Sequence, residues 1–343
     1  MITNKIKLGI VGFGRIVELI HLPLLKKTAE IEVVGVYDIT PQRRELAMNR
    51  GFQVYSDLDA MIDSDLDALL IATPPNSHYQ IASNALRKGK HVLVEKPVTE
   101  SLSEAEHLAS LAKERGLILS VFQNRRYDPD FLFLKNYLAT DMLGEILFVE
   151  RRHHMFGSGA SFGVKSFYPD WRKEARYGGG ALLDWGVHLV DQLLQLNLGK
   201  VQQVDGRMTT LRWNQSEVED CVQANLSLQN GITMLLEVNF GSNASLPMWV
   251  VGGDRATLQI NSAKEAVLLQ KGKPAEHLPI SIDGLKDGAE RIYSSFASCL
   301  LRGEENEIKP EEVIDTMKIL DAIRISSKQK ETVHGNTLFS SSS

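Results

Sequence analysis

Short apolar runs alternate with helical patterns along the first third of the chain. Apolar runs of strand length occupy residues 6–11, 32–37, 68–72, 91–94 and 118–122, with a shorter one near Val54. Helical periodicity lies between them, to about residue 27, over 57–62, through 88 and from 103 to 116. Ser103-Glu104-Ala105-Glu106 resembles a capping box at the start of the last helix, and Gly116 would end it. This alternation predicts an α/β, doubly wound parallel sheet.

From residue 146 the rhythm changes to strands in close succession. These cover residues 146–153, 201–209, 221–228, 232–240, 249–251, 256–260 and 266–270. Asn230-Gly231 and Gly252-Gly253-Asp254 are hairpin signals. We therefore expect an open, predominantly antiparallel sheet with helices on one face, an α+β domain over residues 124–343 that follows a first domain over 1–123. A last helix is predicted at 310–329 and a disordered tail at 340–343.

Three consecutive glycines precede an unusually apolar helical pattern. After Gly178-Gly179-Gly180, apolar side chains fall on two stripes, and the polar positions form one line: Asp184, His188, Asp191 and Gln195. The pattern predicts that only this line faces water. An internally satisfied Asp–His pair, a metal pair and an acid/base pair all remain open. His153 and His154 do not support a metal, because adjacent residues on a strand point apart.

Composition excludes several classes of function. The chain has 343 residues, 43% of them hydrophobic, and a net charge of −5. Two domains are expected, and nucleic-acid binding is not, because no basic stripe follows the chain. Cys221 and Cys299 fit no metal or redox spacing and suit a reducing compartment. No apolar run has the length of a membrane span, and the start lacks a signal-peptide core, so we expect a cytoplasmic protein without a membrane partner.

A glycine fingerprint follows the first predicted strand directly. Gly12-Phe13-Gly14-Arg15-Ile16-Val17 leads from that strand into a helix, and Asp38 ends the second strand about 20 residues later. Gly12 permits the tight turn, and Gly14 allows backbone to approach a pyrophosphate. Val17 replaces the usual third small residue.

The Asp38 carboxylate suits ribose hydroxyls and would repel a 2′-phosphate, which favours NAD over NADP. Arg43 and Arg44 lie near enough to leave this open, although a solvated helix face explains both.

Two further segments leave the carboxyl ends of predicted parallel strands, where open α/β sheets bind ligands. Ala72-Thr73-Pro74 ends one strand, and Glu95-Lys96-Pro97 ends another. The first segment is equally consistent with a plain turn, and an isolated lysine at a strand end is usually exposed. Pro97 also makes a cis peptide possible.

These residues together resemble the Gfo/Idh/MocA oxidoreductase family over almost the whole chain. The resemblance rests on the fingerprint, Ala72-Thr73-Pro74, Glu95-Lys96-Pro97, Trp171-Arg172, and residues 178–184 followed by Gly186-Val187-His188 and Asp191. It implies that Lys96, Asp184 and His188 match the family's catalytic residues and that Lys96-Pro97 is cis. It also implies that Gln123, Asn124 and Arg125 line the nicotinamide side of the cleft. Family members commonly pair through the second sheet, so a homo-oligomer, a dimer or tetramer, is expected.

The substrate side of the cleft is predicted less sharply. Residues 156–163 have a flexible composition that fits a lid or a mobile surface loop equally well. The ring and guanidinium of Trp171 and Arg172, with Tyr168, suit a polyhydroxy substrate, while core packing is the alternative for Trp171.

The predicted sites are then as follows. The candidate cofactor contacts are Gly12, Phe13, Gly14, Arg15, Ile16, Asp38, Ala72, Thr73, Pro74, Glu95, Lys96, Gln123 and Asn124. The candidate substrate contacts are Arg125, Tyr168, Trp171, Arg172, Asp184 and His188, and no metal is expected.

The leading hypothesis is NAD(P)-dependent oxidation of a secondary alcohol on a sugar or cyclitol. His188 would remove the hydroxyl proton, Lys96 would stabilise the charge on the oxygen, and Asp184 would orient both. Two alternatives stay open: tightly bound NAD used as an internal redox catalyst for glycoside cleavage or epimerisation, and a non-catalytic nucleotide or sugar sensor. The joint presence of Lys96, Asp184 and His188 weighs against the sensor.

Overall fold

The computed structural model describes residues 5–157, 170–212, 217–281 and 288–335. These residues form one six-stranded and one nine-stranded sheet. Most of the predicted loop at 156–163, Tyr168 and the tail at 340–343 lie outside the described residues.

The first sheet is parallel throughout, in the order β3-β2-β1-β4-β5-β6, which confirms the doubly wound prediction. Its strands are β1 (Ile6–Val11), β2 (Ile31–Tyr37), β3 (Gln53–Val54), β4 (Ala68–Ile71), β5 (His91–Val94) and β6 (Leu119–Val121). The central strand β4 is buried along its whole length, as a strand covered by helices on both faces must be. From β1 the next strands are added toward one edge of the sheet, and from β4 they are added toward the other edge. A crevice therefore opens at the carboxyl ends of β1 and β4.

Helices cover both faces of this sheet. After the fingerprint comes a π-helical turn (Val17–His21) and then α1 (Leu22–Leu25), α2 (Pro41–Asn49), α3 (Leu58–Ile62), α4 (His78–Arg87) and α5 (Leu102–Arg115). Asp57 caps α3 by accepting the N–H of Ala60 at 2.7 Å.

The start of α5 corrects a prediction. The N-cap is Ser101, whose hydroxyl accepts the N–H of Glu104 at 3.4 Å, so the expected start at Ser103 is wrong. Ser101-x-x-Glu104 has the same capping-box spacing and begins two residues before Ser103. The extended backbone at Ser101 makes it, and not Ser103, the N-cap residue. Gly116 ends the helix with φ +63°, as predicted.

The second sheet runs in the order β14-β13-β12-β11-β7-β10-β9-β8-β15. Its strands are β7 (Ile146–His154), β8 (Val201–Thr209), β9 (Cys221–Leu228), β10 (Thr233–Asn239), β11 (Trp249–Gly253), β12 (Thr257–Ser262), β13 (Glu265–Leu269), β14 (Glu276–Pro279) and β15 (Val333–His334). Among the described strands of this second sheet, only β7 and β10 pair in parallel, so the predominantly antiparallel prediction is confirmed. The sequence did not predict β14 and β15, whose short, polar segments carry little apolar alternation.

The helices of the second domain are α6 (Pro129–Leu138), a π-helical turn (Leu182–Gly186), α7 (Val187–Leu194), α8 (Glu290–Arg302) and α9 (Pro310–Gln329). The bounds of α9 are those predicted, whereas α6 and α8 were not predicted. On α9, the Ser326 hydroxyl accepts the N–H of Gly206 in β8 at 2.9 Å, which seats the helix on the sheet. In the described parts of the chain, none of the helices combines the length and apolar character that a membrane crossing requires. Cys221 and Cys299 are buried free thiols.

The polar line predicted on the triple-glycine helix does not face water as a unit. Asp191 is 2% exposed, and its carboxylate accepts two hydrogen bonds from Arg126, at 2.7 and 2.9 Å. Arg126 also reaches Glu312 on α9 at 2.5 Å. The expectation of one solvent-facing line is therefore wrong at Asp191, because a buried guanidinium from a distant segment satisfies this carboxylate.

Replacing Arg126 tests this buried pair. Arg126→Met leaves the Asp191 carboxylate without its partner, and we expect the free energy of unfolding in urea at pH 7 to fall by about 3 kcal/mol. Burial raises the pKa of Asp191, and without Arg126 that pKa rises further. The folded variant then binds a proton more tightly than its unfolded chain does, so the loss of stability shrinks as pH falls.

The matched control is Arg255→Met, which removes an exposed ion pair with Asp141. It should change the unfolding free energy by less than about 1 kcal/mol. Equal effects of the two substitutions would show that the buried pair has no special role.

Candidate active site

A cavity of about 1060 Å³ follows the carboxyl edge of the first sheet, and residues of the second domain line its opposite wall. At one end it is lined by the fingerprint loop and the residues after β2, and at the other by Lys96, Asp184 and His188. The predicted cofactor and catalytic residues therefore meet in a single cleft, at the place where an open α/β sheet binds its ligand.

Gly12 has no room for a side chain. Its φ is +89°, and a Cβ there would lie 2.7 Å from the carbonyl oxygen of Ala72. A Cβ on Gly14 would meet nothing within 4 Å, so the backbone at Gly14 is open toward the cavity. The loop can thus approach an extended, phosphate-bearing ligand closely, and the helical segment behind it offers its N-terminus.

The side chain of Asp38 binds the backbone of the fingerprint loop. Its carboxylate accepts the N–H of Phe13 at 2.6 Å and the N–H of Thr40 at 2.7 Å. Each oxygen keeps a lone pair for a further donor, and Asp38 lines the cavity. The carboxylate is therefore oriented before any ligand arrives.

The two arginines after Asp38 are not a solvated helix face, which corrects that interpretation. Arg43 is buried, lines the cavity and donates to the carboxylate of Glu18 at 2.8 Å. Arg44 donates to the backbone carbonyl of Asp38 at 2.6 Å. The Arg43 guanidinium is thus bound by the side chain of a residue 25 positions earlier, and the Arg44 guanidinium by a backbone carbonyl.

The loops after β4 and β5 are joined by His78 of α4. Its two ring nitrogens lie 2.8 Å from the carbonyl oxygens of Thr73 and Pro97. The Lys96-Pro97 peptide is cis, as the resemblance implied. Both cavity-lining segments are therefore tied to one buried ring.

Glu95 supports Lys96 from the protein interior. One carboxylate oxygen accepts the backbone N–H of Lys96 at 3.0 Å, and the other lies 2.9 Å from His21 Nε2. The second ring nitrogen of His21 lies 2.6 Å from the hydroxyl of Tyr293 on α8. Burial alone would raise the pKa of Glu95, but its bond to His21 and the nearby charges of His21 and Lys96 lower it overall. Glu95 is therefore an anchored carboxylate.

Lys96 and Asp184 meet across the domain boundary. The ammonium of Lys96 donates to the backbone carbonyl of Asp184 at 2.7 Å and lies 3.4 Å from its carboxylate. Arg172 donates to the other carboxylate oxygen at 3.2 Å. Burial lowers the pKa of Lys96 despite the attraction of Asp184. Burial would raise the pKa of Asp184, but Arg172 and Lys96 outweigh it, so the carboxyl pKa is lowered and Asp184 is ionised at neutral pH.

His188 is buried one turn beyond Asp184. Its pKa is held well below 6.5, first by burial and then by the charges of Lys96 and Arg125. Its Nδ1 is buried and has no hydrogen-bond partner among the described residues. The imidazole is therefore neutral at physiological pH and able to accept a proton.

A stacked group forms the wall beside His188. The His153 ring lies flat on Trp185, with 3.3 Å between centroids and 8° between planes, and Arg125 lies 4.2 Å from the centre of the Trp185 ring. Burial, together with Arg151 and Arg125, lowers the pKa of His153 to about 3. This wall presents aromatic surface and a neutral imidazole to the cleft.

The glycines before Asp184 permit close contacts that larger residues would prevent. A Cβ on Gly179 would lie 2.4 Å from the carbonyl oxygen of Arg172, and one on Gly180 would lie 2.7 Å from the Glu219 carboxylate. That carboxylate accepts the N–H of Leu182 at 2.8 Å and so caps the start of the helix. The triple glycine therefore brings Arg172 and Glu219 against the segment that carries Asp184.

Most of the predicted site residues line this cavity. They are Gly12, Gly14, Arg15, Ile16, Asp38, Ala72, Thr73, Pro74, Glu95, Lys96, Asn124, Arg125, Trp171, Arg172, Asp184 and His188. Phe13 and Gln123 are instead buried outside it, Phe13 against Phe52 with 5.7 Å between ring centroids. Tyr168 lies outside the described residues.

The structure adds cleft residues that were not among the predicted site residues, such as Arg43, His153, Met155, Tyr177 and Trp185. Strand alternation offered a signal for His153, since it shares a face of β7 with the buried Arg151. The α-helical periodicity of residues 182–196 includes Trp185 in one of the two predicted apolar stripes, and Trp185 is indeed partly buried against the core. Its segment is a π-helical turn, which changes the angle between successive side chains and brings Trp185 to the cleft.

Among the residues with described placement, no group of three or more His, Cys, Asp or Glu side chains is arranged to hold a metal ion. His154 points away from His153 and lies 3.2 Å from Glu237.

Two family models match the chain. One, described as "Oxidoreductase family, NAD-binding Rossmann fold", matches residues 6–123, and "GFO/IDH/MocA C-terminal domain" matches residues 131–259. The crystal structure of an NAD-binding protein from Listeria innocua is 32% identical, has a TM-score of 0.84, and aligns over 96% of this chain and 97% of that one.

Two characterised relatives from Bacillus subtilis are also similar. A scyllo-inositol 2-dehydrogenase (NADP(+)) is 26% identical, with 96% of each chain covered. A glucose-6-phosphate 3-dehydrogenase is 34% identical over 193 residues, 55% of this chain and 53% of that protein.

Gly12→Ala tests the fingerprint end of the cavity. The added methyl group would push the loop away from Ala72 and strain the backbone, so we expect the dissociation constant of NADH to rise by more than about tenfold. Fluorescence titration of NADH measures this. Gly89→Ala is the control, because Gly89 also has a positive φ of +78° but nothing within 4 Å of a Cβ. A Gly12→Ala protein that binds NADH as the Gly89→Ala protein does would contradict this assignment.

Proposed function

The chain belongs to the GFO/IDH/MocA oxidoreductase family, and we propose that it transfers hydride between NAD and a secondary alcohol or ketone of a sugar or cyclitol. The observation that carries this proposal is the meeting of Lys96, Asp184 and His188 in the cavity that also holds the glycine fingerprint. A binding protein has no need of an ammonium, a carboxylate and a neutral imidazole at one end of a nucleotide cleft.

The protonation states suit oxidation of an alcohol. Asp184 is ionised and attracts the Lys96 ammonium, while His188 is neutral. In that direction His188 accepts the hydroxyl proton, and Lys96 donates a hydrogen bond to the oxygen on which negative charge develops. Asp184 orients Lys96 and, with Arg172, shapes the substrate end of the cleft. When bound, the nicotinamide ring accepts or supplies the hydride.

The cavity wall fits a substrate with both apolar ring faces and hydroxyl groups. Trp171 and Trp185 both line the cavity, Trp171 with Arg172 4.3 Å from its ring centre and Trp185 stacked with His153. A sugar or cyclitol presents C–H faces to such rings and hydroxyls to the surrounding donors. The names of the inositol and glucose-6-phosphate dehydrogenases support this substrate class.

The orientation of Asp38 at the end of β2 supports NAD over NADP. Use of tightly bound NAD as an internal redox catalyst, for glycoside cleavage or epimerisation, is the second candidate, because the same residues serve a transient oxidation. The two differ in outcome, since only a dehydrogenase accumulates NADH with its substrate.

We also propose that copies of the chain associate through the outer face of the second sheet. On that face half-buried charged residues pair with one another: Arg152 of β7 lies 2.6 Å from Glu150 and 3.5 Å from Glu237 of β10.

His188→Ala and Lys96→Ala test the catalytic roles. We expect each to lower kcat by about 10²–10⁴-fold, because each removes a group that acts on the reacting oxygen or its proton. Initial rates of NADH formation should be measured across inositols, aldoses and phosphosugars, with NADH binding as a second measurement. His277→Ala, at an exposed position, is the control and should leave kcat unchanged. Wild-type turnover in either site variant would reject its role.

Asp184→Asn tests the electrostatic link to Lys96. Burial already lowers the pKa of Lys96, and loss of the neighbouring carboxylate lowers that pKa further. If the Lys96 ammonium is required, the alkaline fall in kcat/KM should move to lower pH in Asp184→Asn. Asp170→Asn, at an exposed carboxylate paired with Lys173, should leave the profile in place. An alkaline limb at the same pH in both variants would separate Lys96 from Asp184.

A further inference from the structure

Glu18 lies between two arginines at the ribose end of the cavity. Its carboxylate contacts Arg43 at 2.8 Å and Arg50 at 2.5 Å. The side chains of Glu18 and Arg43 are each only 10% exposed, whereas Arg50 is 43% exposed. The contact with Arg43 is therefore the buried, firmly held part of this group.

The ion pair between Glu18 and Arg43 lies beside the ligand cavity because Arg43 lines it. Arg43 lines the cavity together with Asp38, Ile39 and Thr40, which follow β2. Glu18 belongs to the π-helical turn that continues the fingerprint helix, and its N–H donates to the carbonyl of Gly14 at 3.3 Å. The carboxylate thus reaches Arg43 from the same segment that forms the phosphate-binding loop.

A guanidinium at this end of a dinucleotide site is the group that accommodates a 2′-phosphate. Here that guanidinium already donates to a carboxylate, so its charge is compensated before a ligand enters. A 2′-phosphate would have to displace Glu18 or remain beside two carboxylates, Glu18 and Asp38. A ribose 2′-hydroxyl meets no such repulsion.

We propose that Glu18 determines the choice of cofactor by occupying Arg43, so that the ribose end of the cavity accepts NAD and rejects the 2′-phosphate of NADP. This inference rests on the proposed function only in taking the cavity as a nicotinamide dinucleotide site. Asp38 supplies direct contacts to the ribose, and Glu18 acts through Arg43.

Cofactor binding without substrate provides the test. NADH and NADPH are titrated against wild-type protein, Glu18→Gln and Glu45→Gln, following the fluorescence of the reduced cofactor. Glu45→Gln removes the same charge from an exposed position on α2 and is the matched control. We expect Glu18→Gln to lower the ratio of the NADPH to the NADH dissociation constant by roughly tenfold, because it releases the Arg43 charge toward the phosphate. Glu45→Gln should change that ratio by less than about twofold.

Arg43→Gln and the double variant Glu18→Gln/Arg43→Gln identify the group through which Glu18 acts. Arg43→Gln leaves the Glu18 carboxylate less compensated, so the NADPH to NADH ratio should rise several-fold. In the double variant the gain in NADPH binding should disappear. A Glu18→Gln ratio within about twofold of wild type, or a gain that persists without Arg43, overturns the proposal.

Arg43→Gln also decides the question if Glu18→Gln does not fold, as judged by circular dichroism. An unchanged ratio in Arg43→Gln would then overturn the proposal. Failure of the proposed function looks different, because wild-type protein would then bind neither reduced cofactor.

Discussion

The site depends on one constraint: the largely buried ammonium of Lys96 needs hydrogen-bond acceptors and a compensating charge, and residues of the second domain supply them. Lys96 follows β5 of the nucleotide-binding sheet, while its hydrogen-bond acceptors belong to Asp184 in the π-helical turn of the second domain. Separating the two would leave a poorly solvated ammonium, and the Asp184 carboxylate would lose one of the two cations, Lys96 and Arg172, that compensate its charge. The requirement to compensate these charges therefore fixes the triple-glycine helix relative to the carboxyl edge of the first sheet. It also places the proposed proton acceptor, His188, beside that edge.

Lys96 can hold such a position because its backbone is fixed from two sides. His78 joins the loop that contains Pro97 to the loop that contains Thr73. Glu95 accepts the N–H of Lys96 and is itself held by His21, which reaches Tyr293 of the second domain. The catalytic role proposed for Lys96 requires supporting contacts that limit its movement, and here those contacts again cross between the domains.

The parts of the fold that were predictable from the sequence are those set by local physics. The run from β1 through Gly12 to Asp38 combines a buried strand, a turn that demands glycine and a second strand, and all of these are visible in neighbouring residues. The C-terminal helix was equally clear, because Pro310 and its apolar periodicity mark it without reference to the rest of the chain.

The remaining features depend on partners far away in sequence. Asp191 and Arg43 each look like surface positions until Arg126 and Glu18 are known to face them. Trp185 packs against the core, as its place on an apolar stripe predicted, but it also lines the cleft, and nothing local distinguishes its π-helical turn from an α-helix. Local pattern and the family resemblance therefore pointed to Lys96, Asp184 and His188, whereas the paired charges that define their surroundings required the three-dimensional structure.

The two ends of the cavity meet opposite electrostatic demands. At the end that holds Lys96, burial and the charges of Lys96 and Arg125 keep His188 neutral, which is the state that the proposed transfer of an alcohol proton to it requires. At the ribose end, an uncompensated cation would attract a 2′-phosphate, and Glu18 compensates the charge of Arg43. In both places the chain sets the behaviour of a cation by the carboxylate beside it. Asp184 favours the charged form of Lys96, which the proposed stabilisation of an oxyanion requires, and Glu18 compensates a guanidinium that a 2′-phosphate would otherwise contact.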